Sequence, residues 1–463
     1  MAKNIVLKNS LGDSVVYNNV GNIILKDENG NDVQFIPKTS GQYRVIGVDY
    51  DGTIIDDRYL QTGDIYTLPE VPAHNGLVPQ GWSCSQEIVD GKIIIEDNDV
   101  TYGPNYSTES GLNEFDIEIT PNNSSTFTLN ITGTKDWGDG TVNSENTHTY
   151  SSYGKYTVTC DGTELTSYLF GSENNTIRNR SVRNVRLNKL DTFSGTLSYL
   201  SDGYLFSSCE VLETIIVSPS VNIYKNYQDR LGFAVSSCYA LKTLIMPNGI
   251  GEKFGGSLNC RACEYIVIPS GVKNITSGLQ ECRALKVIAL PKTIENNPSV
   301  YDLFKGCSAL KTIYIPDGFT TVNRSTFDSC YSLSNIRFPS TLEMTGNRSF
   351  YNCYALTEID VPEGTTRVQE AFNSCTSVRK ITFPSTLTAI TSQTFFLCDA
   401  LTVIDFTKAL SVPALNYSSP FSQGSNKLRK IYVPDALYDS WKVATNWSII
   451  ANYIYRASEM PAE

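Results

Sequence analysis

Histidine is nearly missing from this 463-residue chain, with two residues, His74 and His148, and methionine is rare at four. So little histidine argues against His-centred catalysis and multi-His metal sites. Basic residues are outnumbered, 37 Lys and Arg against 48 Asp and Glu. A net charge of −11 makes the chain a poor partner for nucleic acid or anionic lipid. No apolar run approaches the 18 or so residues that cross a bilayer, so membrane insertion is not expected. The opening Met1–Lys8 has an apolar run of only three residues, against about 7–15 in a secretory signal, so we expect no such signal. Nucleotide-binding and hydrolase motifs (GxGxxG, GxxxxGK[ST], HExxH, GxSxG) are absent, as is the EF-hand pattern around Asp49, Asp51, Asp56 and Asp57. Catalytic, cofactor and metal residues are therefore none; a cation beside Asp136 and Asp139 is the weaker reading, turn-binding side chains the stronger.

What is present is uneven. Residues 1–160 hold 9 Lys and Arg against 22 Asp and Glu, while 161–463 hold 28 against 26. Such asymmetry suggests separate modules. The length also exceeds one ordinary core.

The second half repeats. From Cys238, leaving out Cys263, the cysteines fall 22, 22, 25, 23, 23, 22 and 23 residues apart. One unit runs Phe304-x2-Cys307-x2-Leu310-x2-Ile313-x-Ile315-Pro316, and the same frame returns on Cys330, Cys353, Cys375 and Cys398. Leu-x-x-Ile-x-Ile turns alternate side chains inward on a short strand, and Pro ends it. One unit cannot bury its own apolar face, so the units must stack into a solenoid. Cys260-x2-Cys263 looks like half a zinc site, but no second pair and no His lies near, and a stack of reduced, buried thiols fits better. After Pro434 the pattern turns helical through Leu437, Tyr438 and Trp441, a short helical cap for the last coil.

This frame resembles the BspA-like class of leucine-rich repeats, found in bacterial surface and adhesion proteins and in viruses of gut bacteria. Residues 63–82, Gly-Asp-Ile-Tyr-Thr-Leu-Pro through Pro72 and Gly76 to Gly81-Trp82, resemble the β-grasp-like internalin B-repeat, which implies that Trp82 fills a small core. Trp137-Gly-Asp139-Gly-Thr141, with His148-Thr-Tyr150 and Tyr153-Gly-Lys-Tyr156, resembles the PKD-like Ig-type sandwich, which implies structural roles for Trp137, Asp139 and His148. The alternating residues 1–36 look like the openings of tail and fibre proteins of bacterial viruses.

The expected architecture is multidomain and mainly β. It divides into an attachment module (1–38), a β-grasp-like module (39–110), a PKD-like sandwich (111–165), the repeat solenoid (166–434) and the helical cap (435–463). The expected ligand face is the outward side of the repeat strands: Lys242, Tyr265, Lys286, Lys311, Tyr314, Arg337, Glu358, Asp360, Arg379, Lys380, Asp405, Arg429, Lys430 and Tyr432. Tyrosine, arginine and both charge signs suit protein or glycan recognition. Cys307, Cys330, Cys353, Cys375, Cys398 and Trp441 are expected to be structural.

The favoured reading is a non-enzymatic fibre protein of a bacterial virus. It would attach to other virion proteins through its amino-terminal region, assemble as a homo-oligomer, with a trimer the expected form, and bind a host surface protein or glycan. A bacterial BspA-like surface adhesin is the alternative, and a fibre-borne polysaccharide depolymerase stands third.

Overall fold

The structure, a computed structural model, describes residues 5–8, 14–17, 23–26, 32–35, 42–170, 180–193, 204–221, 233–249, 251–275, 278–295, 301–391, 393–416 and 430–461. It is mainly β: small sheets precede a leucine-rich solenoid of about eight turns, and a short helical segment follows.

The solenoid follows from the repeat. Each Leu-x-x-Ile-x-Ile stretch forms a three- or four-residue strand that pairs in parallel with its counterpart one coil on. Ile359, Ile381, Ile404 and Ile431 are successive partners. The inward side chains form one continuous core from Phe115 to Ile454. The repeat phenylalanines stack almost flat, Phe304 on Phe327 at 5.4 Å and Phe327 on Phe350 at 5.3 Å between ring centres.

The cysteines stitch coil to coil. Sγ of Cys330, Cys353, Cys375 and Cys398 donates to the carbonyl oxygen of the repeat Phe one coil earlier, at 3.1, 3.2, 3.1 and 3.0 Å. All twelve cysteines are buried free thiols. Burial holds the thiol pKa values of Cys330, Cys353 and Cys375 well above their ordinary value near 9. Just before each repeat Cys the chain turns through the left-handed region, at Ser329 (φ 64°), Asn352 (61°), Ser374 (64°) and Leu397 (56°). Small polar residues and Gly306 (76°) suit this turn; a leucine does not.

Both ends of the stack are closed. At the start, residues 113–193 form two packed sheets around Trp137, Phe115 and Leu129. Strand Asn113–Ile119 pairs with Gly154–Cys160 on one side and Val182–Leu187 on the other, and Val182–Leu187 pairs in parallel with Thr214–Val217, a strand of the solenoid. One sheet thus runs from the sandwich into the coils. Glu164–Phe170 belongs to the second sheet of the sandwich, so a module boundary at 165 would cut through this strand. At the far end, the helix Tyr438–Val443 and the 3-10 turns Asp435–Leu437 and Ser448–Tyr453 carry Trp441 and Trp447, which close on Phe406 at 5.2 and 5.5 Å. A last strand, Ile454–Arg456, pairs with Lys430–Val433, and the Glu459 carboxylate accepts from the Arg456 backbone N–H.

Residues 42–108 form a mixed four-stranded sheet in the order Ile54–Gln61, Gln42–Val48, Val100–Thr108, Leu77–Cys84, its two central strands parallel. Tyr102 and Tyr66 occupy its core with Val45 and Ile93. Trp82 is only half-buried and packs edge-on against Tyr102, so the core-filling role expected of it falls to Tyr102.

Leu397→Asn should stabilise the protein by about 1 kcal/mol, because the left-handed backbone costs leucine more than asparagine and the side chain is 40% exposed. A thermal melt reads the gain. The buried thiols also set the alkaline limit. A thiol whose folded pKa is raised favours folding below its unfolded value near 9, and that contribution is lost as pH rises toward the folded value. The urea midpoint should therefore fall steadily above about pH 9, with native thiols unreactive to a disulfide reagent at pH 8.

Candidate binding face

The outward side of the solenoid strands, expected to be one exposed surface, is two surfaces. In the early coils the outward strand positions are Thr243 and Ile245, Tyr265 and Val267, Val287 and Ala289, all buried. The sheet of residues 42–108 lies across them. Ile46 and Val48 join Ile245, Tyr265, Val267 and Val287 in one apolar cluster. Strand Val100–Thr108 is buried along nearly its whole length, because its two faces serve two cores. Gly103 allows the approach: a Cβ there would meet Ile245 Cδ1 at 2.7 Å and the Val48 carbonyl oxygen at 2.9 Å.

Polar contacts fix the register of this docking. The Ser270 N–H donates to the Cys84 carbonyl at 2.7 Å, and Asn98 Nδ2 donates to the Leu290 carbonyl at 2.7 Å. Along the rim, Lys292 Nζ lies 2.6 Å from Asp97 and 2.9 Å from Glu96. The Lys292 ammonium holds the Asp97 carboxyl below its ordinary range. Arg337 donates to the Asp97 carbonyl at 2.7 Å and to the Tyr43 hydroxyl. Tyr43 meets Tyr314 edge-on at 5.8 Å.

The expected ligand residues therefore separate. Tyr265 and Tyr314 are buried beneath the docked module, a correction to their expected exposure. Lys242, Lys286 and Lys311 are exposed but precede the strands; Lys286 pairs with Glu264 at 2.6 Å. Arg337 is partly exposed and engaged at the rim. Beyond it the face opens. Glu358, Asp360 and Arg379 are exposed there and Lys380 half-buried, and Lys430 is exposed further on. Asp405 and Tyr432 are buried, again against expectation: Asp405 accepts from the Thr407 N–H at 2.9 Å, and Tyr432 packs beside Tyr455 at 6.0 Å. Arg429 lies outside the described residues.

The structural residues lie as follows. Trp137 is buried, and its indole N–H donates to Asn143 at 2.9 Å. Asp139 accepts from the Thr141 N–H at 3.0 Å and lies 2.7 Å from His148 Nε2, while His148 stacks on Trp137 at 5.2 Å. Trp441 is fully buried. Among the described residues no group of three His, Cys, Asp or Glu is placed to hold a metal ion.

The shielded half was legible in part. Leu244-Ile-Met246, Tyr265-Ile-Val-Ile268 and Val287-Ile-Ala-Leu290 are unbroken apolar or aromatic runs, the mark of a strand buried on both faces. In Glu358-Ile-Asp360 and Lys380-Ile-Thr382 the pattern alternates.

The model of the BspA type leucine-rich repeat region matches residues 176–301 and 300–419, in six copies. The chain belongs to this family of generally non-enzymatic binding proteins. Among solved structures it is similar to a leucine-rich repeat protein from Bacteroides ovatus, at 18% identity over 67% of this chain and 90% of that one, with a TM-score of 0.38. The pneumococcal vaccine antigen PcpA is similar at 14% identity over 59% and 66% of the two chains, with a TM-score of 0.34. A leucine-rich cell surface protein from Faecalibacterium prausnitzii is similar at 16% identity over 63% and 94%, with a TM-score of 0.25. No curated protein matches.

Gly103→Ala should weaken the docking by about 1–3 kcal/mol through overpacking. Ile245→Asp should release it, since an unpaired carboxylate at this apolar contact is strongly unfavourable. Limited proteolysis reads both as new cleavage near residues 109–112. Arg337→Ala, at an exposed rim pair, should cost under about 1 kcal/mol.

Proposed function

We propose that this chain is a non-enzymatic adhesin-like recognition protein that holds its partner on the open sheet face, around Glu358, Asp360, Arg379, Lys380 and Lys430. The observation behind this reading is the change along one face. Outward positions are buried through Ala289, whereas beyond Arg337 the charged Glu358, Asp360 and Lys430 are exposed and Lys380 is half-buried. A rigid parallel sheet presents those charges at fixed spacing, which favours specificity over bulk affinity. Both charge signs side by side suit the polar surface of a protein or glycan.

Family membership supports a bacterial-surface role better than the virion-fibre one, whose support is the resemblance of residues 1–36 to fibre openings. The docked module bears on both. Residues 42–108 are part of the solenoid's own packing, which speaks against a role as a free stalk. Their first described residue, Gln42, adjoins Tyr43, whose hydroxyl accepts from Arg337 at the rim.

The test is binding of the labelled full chain to intact bacterial cells and to immobilised matrix glycoproteins. Charge reversal at Arg379→Glu with Lys380→Glu should lower retention at least tenfold at low salt, with an unchanged melting temperature. Equal retention of variant and parent would sink the assignment of this face. An antibody against residues 184–434 that labels virus particles and not cells would favour the fibre reading instead.

A further inference from the structure

The residue after each repeat cysteine forms a second stripe, along the edge where the coil turns toward its sheet strand. In chain order it reads Tyr239, Arg261, Arg283, Ser308, Tyr331, Tyr354, Thr376 and Asp399. Backbone bonds fix the stripe in register. Ala284, Ala309, Ser332 and Ala400 each donate an N–H to the carbonyl of the stripe residue one coil earlier, Arg261, Arg283, Ser308 and Thr376, at 3.1–3.2 Å. These side chains therefore stand one above another at the coil repeat.

Within the stripe, Tyr331 and Tyr354 stack in parallel, 5.2 Å between ring centres and 5° apart, yet they are 46% and 41% exposed. Each ring spends one face on the other and leaves its second face toward a coil with a small residue. Beyond Tyr331 that residue is Ser308, whose hydroxyl is tied back to the Arg283 carbonyl at 3.2 Å. Beyond Tyr354 it is Thr376. One coil further on each side stands a charged side chain, Arg283 or Asp399, both exposed. Coils pair at about 4.8 Å, so each slot spans about 9.6 Å from tyrosine to charged wall. That space admits one saturated six-membered ring in van der Waals contact.

From this geometry we infer a carbohydrate-binding shelf at Tyr331–Tyr354, which takes a pyranose ring of a polysaccharide against either outer ring face. The C–H face of a sugar is apolar and matches a tyrosine face, while its rim of hydroxyls needs charged donors and acceptors such as Asp399 and the Arg283–Glu281 ion pair, 2.7 Å between its charged atoms. A polypeptide anchor would find a ring-sized slot open at its polar wall. The shelf deepens the recognition role proposed above by naming a ligand class, and it stands apart from the open sheet face. Nearby, Arg348 lies over Tyr351 at 3.9 Å and adds a further aromatic and cationic pair to the same edge region.

The experiment is native electrophoresis of the full chain through gels that contain dextran, mannan or polygalacturonate. The parent chain should be retarded by at least one of the three. Tyr331→Ala with Tyr354→Ala should abolish the retardation, at least a tenfold loss in the retention constant. Thr376→Arg, which fills one slot and leaves both tyrosines in place, should reduce it, an effect that a merely structural role for the stack does not produce. In the neutral dextran and mannan gels the retention constant of Arg379→Glu with Lys380→Glu, taken relative to its own mobility without polysaccharide, should equal that of the parent; its loss would assign the retardation to the open face and overturn the shelf. Parent migration unaffected by all three polysaccharides, or equal retardation of the tyrosine variant with a parent-like melting temperature, overturns the proposal.

Discussion

No coil of this protein can bury its own apolar side. Leu310, Ile313 and Ile315 point inward on and beside the three-residue strand Thr312–Tyr314, and the coils before and after supply the rest of their environment. Stacking is therefore obligatory, and with it the hydrogen bonds between parallel strands, the phenylalanine stack and the thiol bonds from Cys307, Cys330, Cys353, Cys375 and Cys398 to the preceding coil. The cysteine suits its place as a small apolar group with a weak donor: it fills the turn and satisfies one carbonyl without bringing a strongly hydrated group inside. The same constraint makes the ends costly. A terminal coil exposes half a core, and here a β-sandwich shares a sheet with the first coils while two tryptophans cover the last.

A solenoid sheet has a second side, and there the chain makes a choice that the stacking does not require. Along the first coils it places isoleucine, valine and alanine outward and covers them with a small sheet of its own. Along the later coils it places Glu358, Asp360 and Lys430 outward and exposed, while Asp405 and Tyr432 are buried. The docking is held mainly by apolar contact across Ile46, Val48, Ile245 and Val267, because the ion pairs around Asp97 lie at an exposed rim where water and salt weaken them. Such an interface behaves as part of the core rather than as a reversible latch.

How much of this was legible in the chain depends on the range of the interaction. The coil is a local event of 22–25 residues, so its period, its cysteine and its strand show plainly in the sequence. Capping by Trp441 is local too. Docking joins Ile46 to Val267 and Tyr43 to Arg337, hundreds of residues apart, and no spacing encodes it. Its trace is indirect: alternation gives way to unbroken apolar runs in three consecutive strands. Lys242 and Lys286 stand just before these strands and lend them a polar look. Tyr265 and Tyr314 misled for another reason. A tyrosine outward on a sheet serves equally as a ligand contact and as packing for a neighbouring sheet, and only the neighbour decides.

The covered face also changes what the amino-terminal modules can be. Modules joined end to end would hold the solenoid away from its anchor, with the full length of its face free. Here the sandwich is welded to the first coils by a shared sheet, and residues 42–108 pack over them, so the described residues of these parts share one packed structure. The two surfaces proposed for recognition are ones this packing leaves open: the charged strands beyond Arg337 and the edge that presents Tyr331 and Tyr354. Both lie in the later coils, where the repeat is most regular and the backbone register is fixed coil by coil. A surface built for recognition gains from that rigidity, since side chains held at the coil repeat lose little freedom when a partner with a matching period binds.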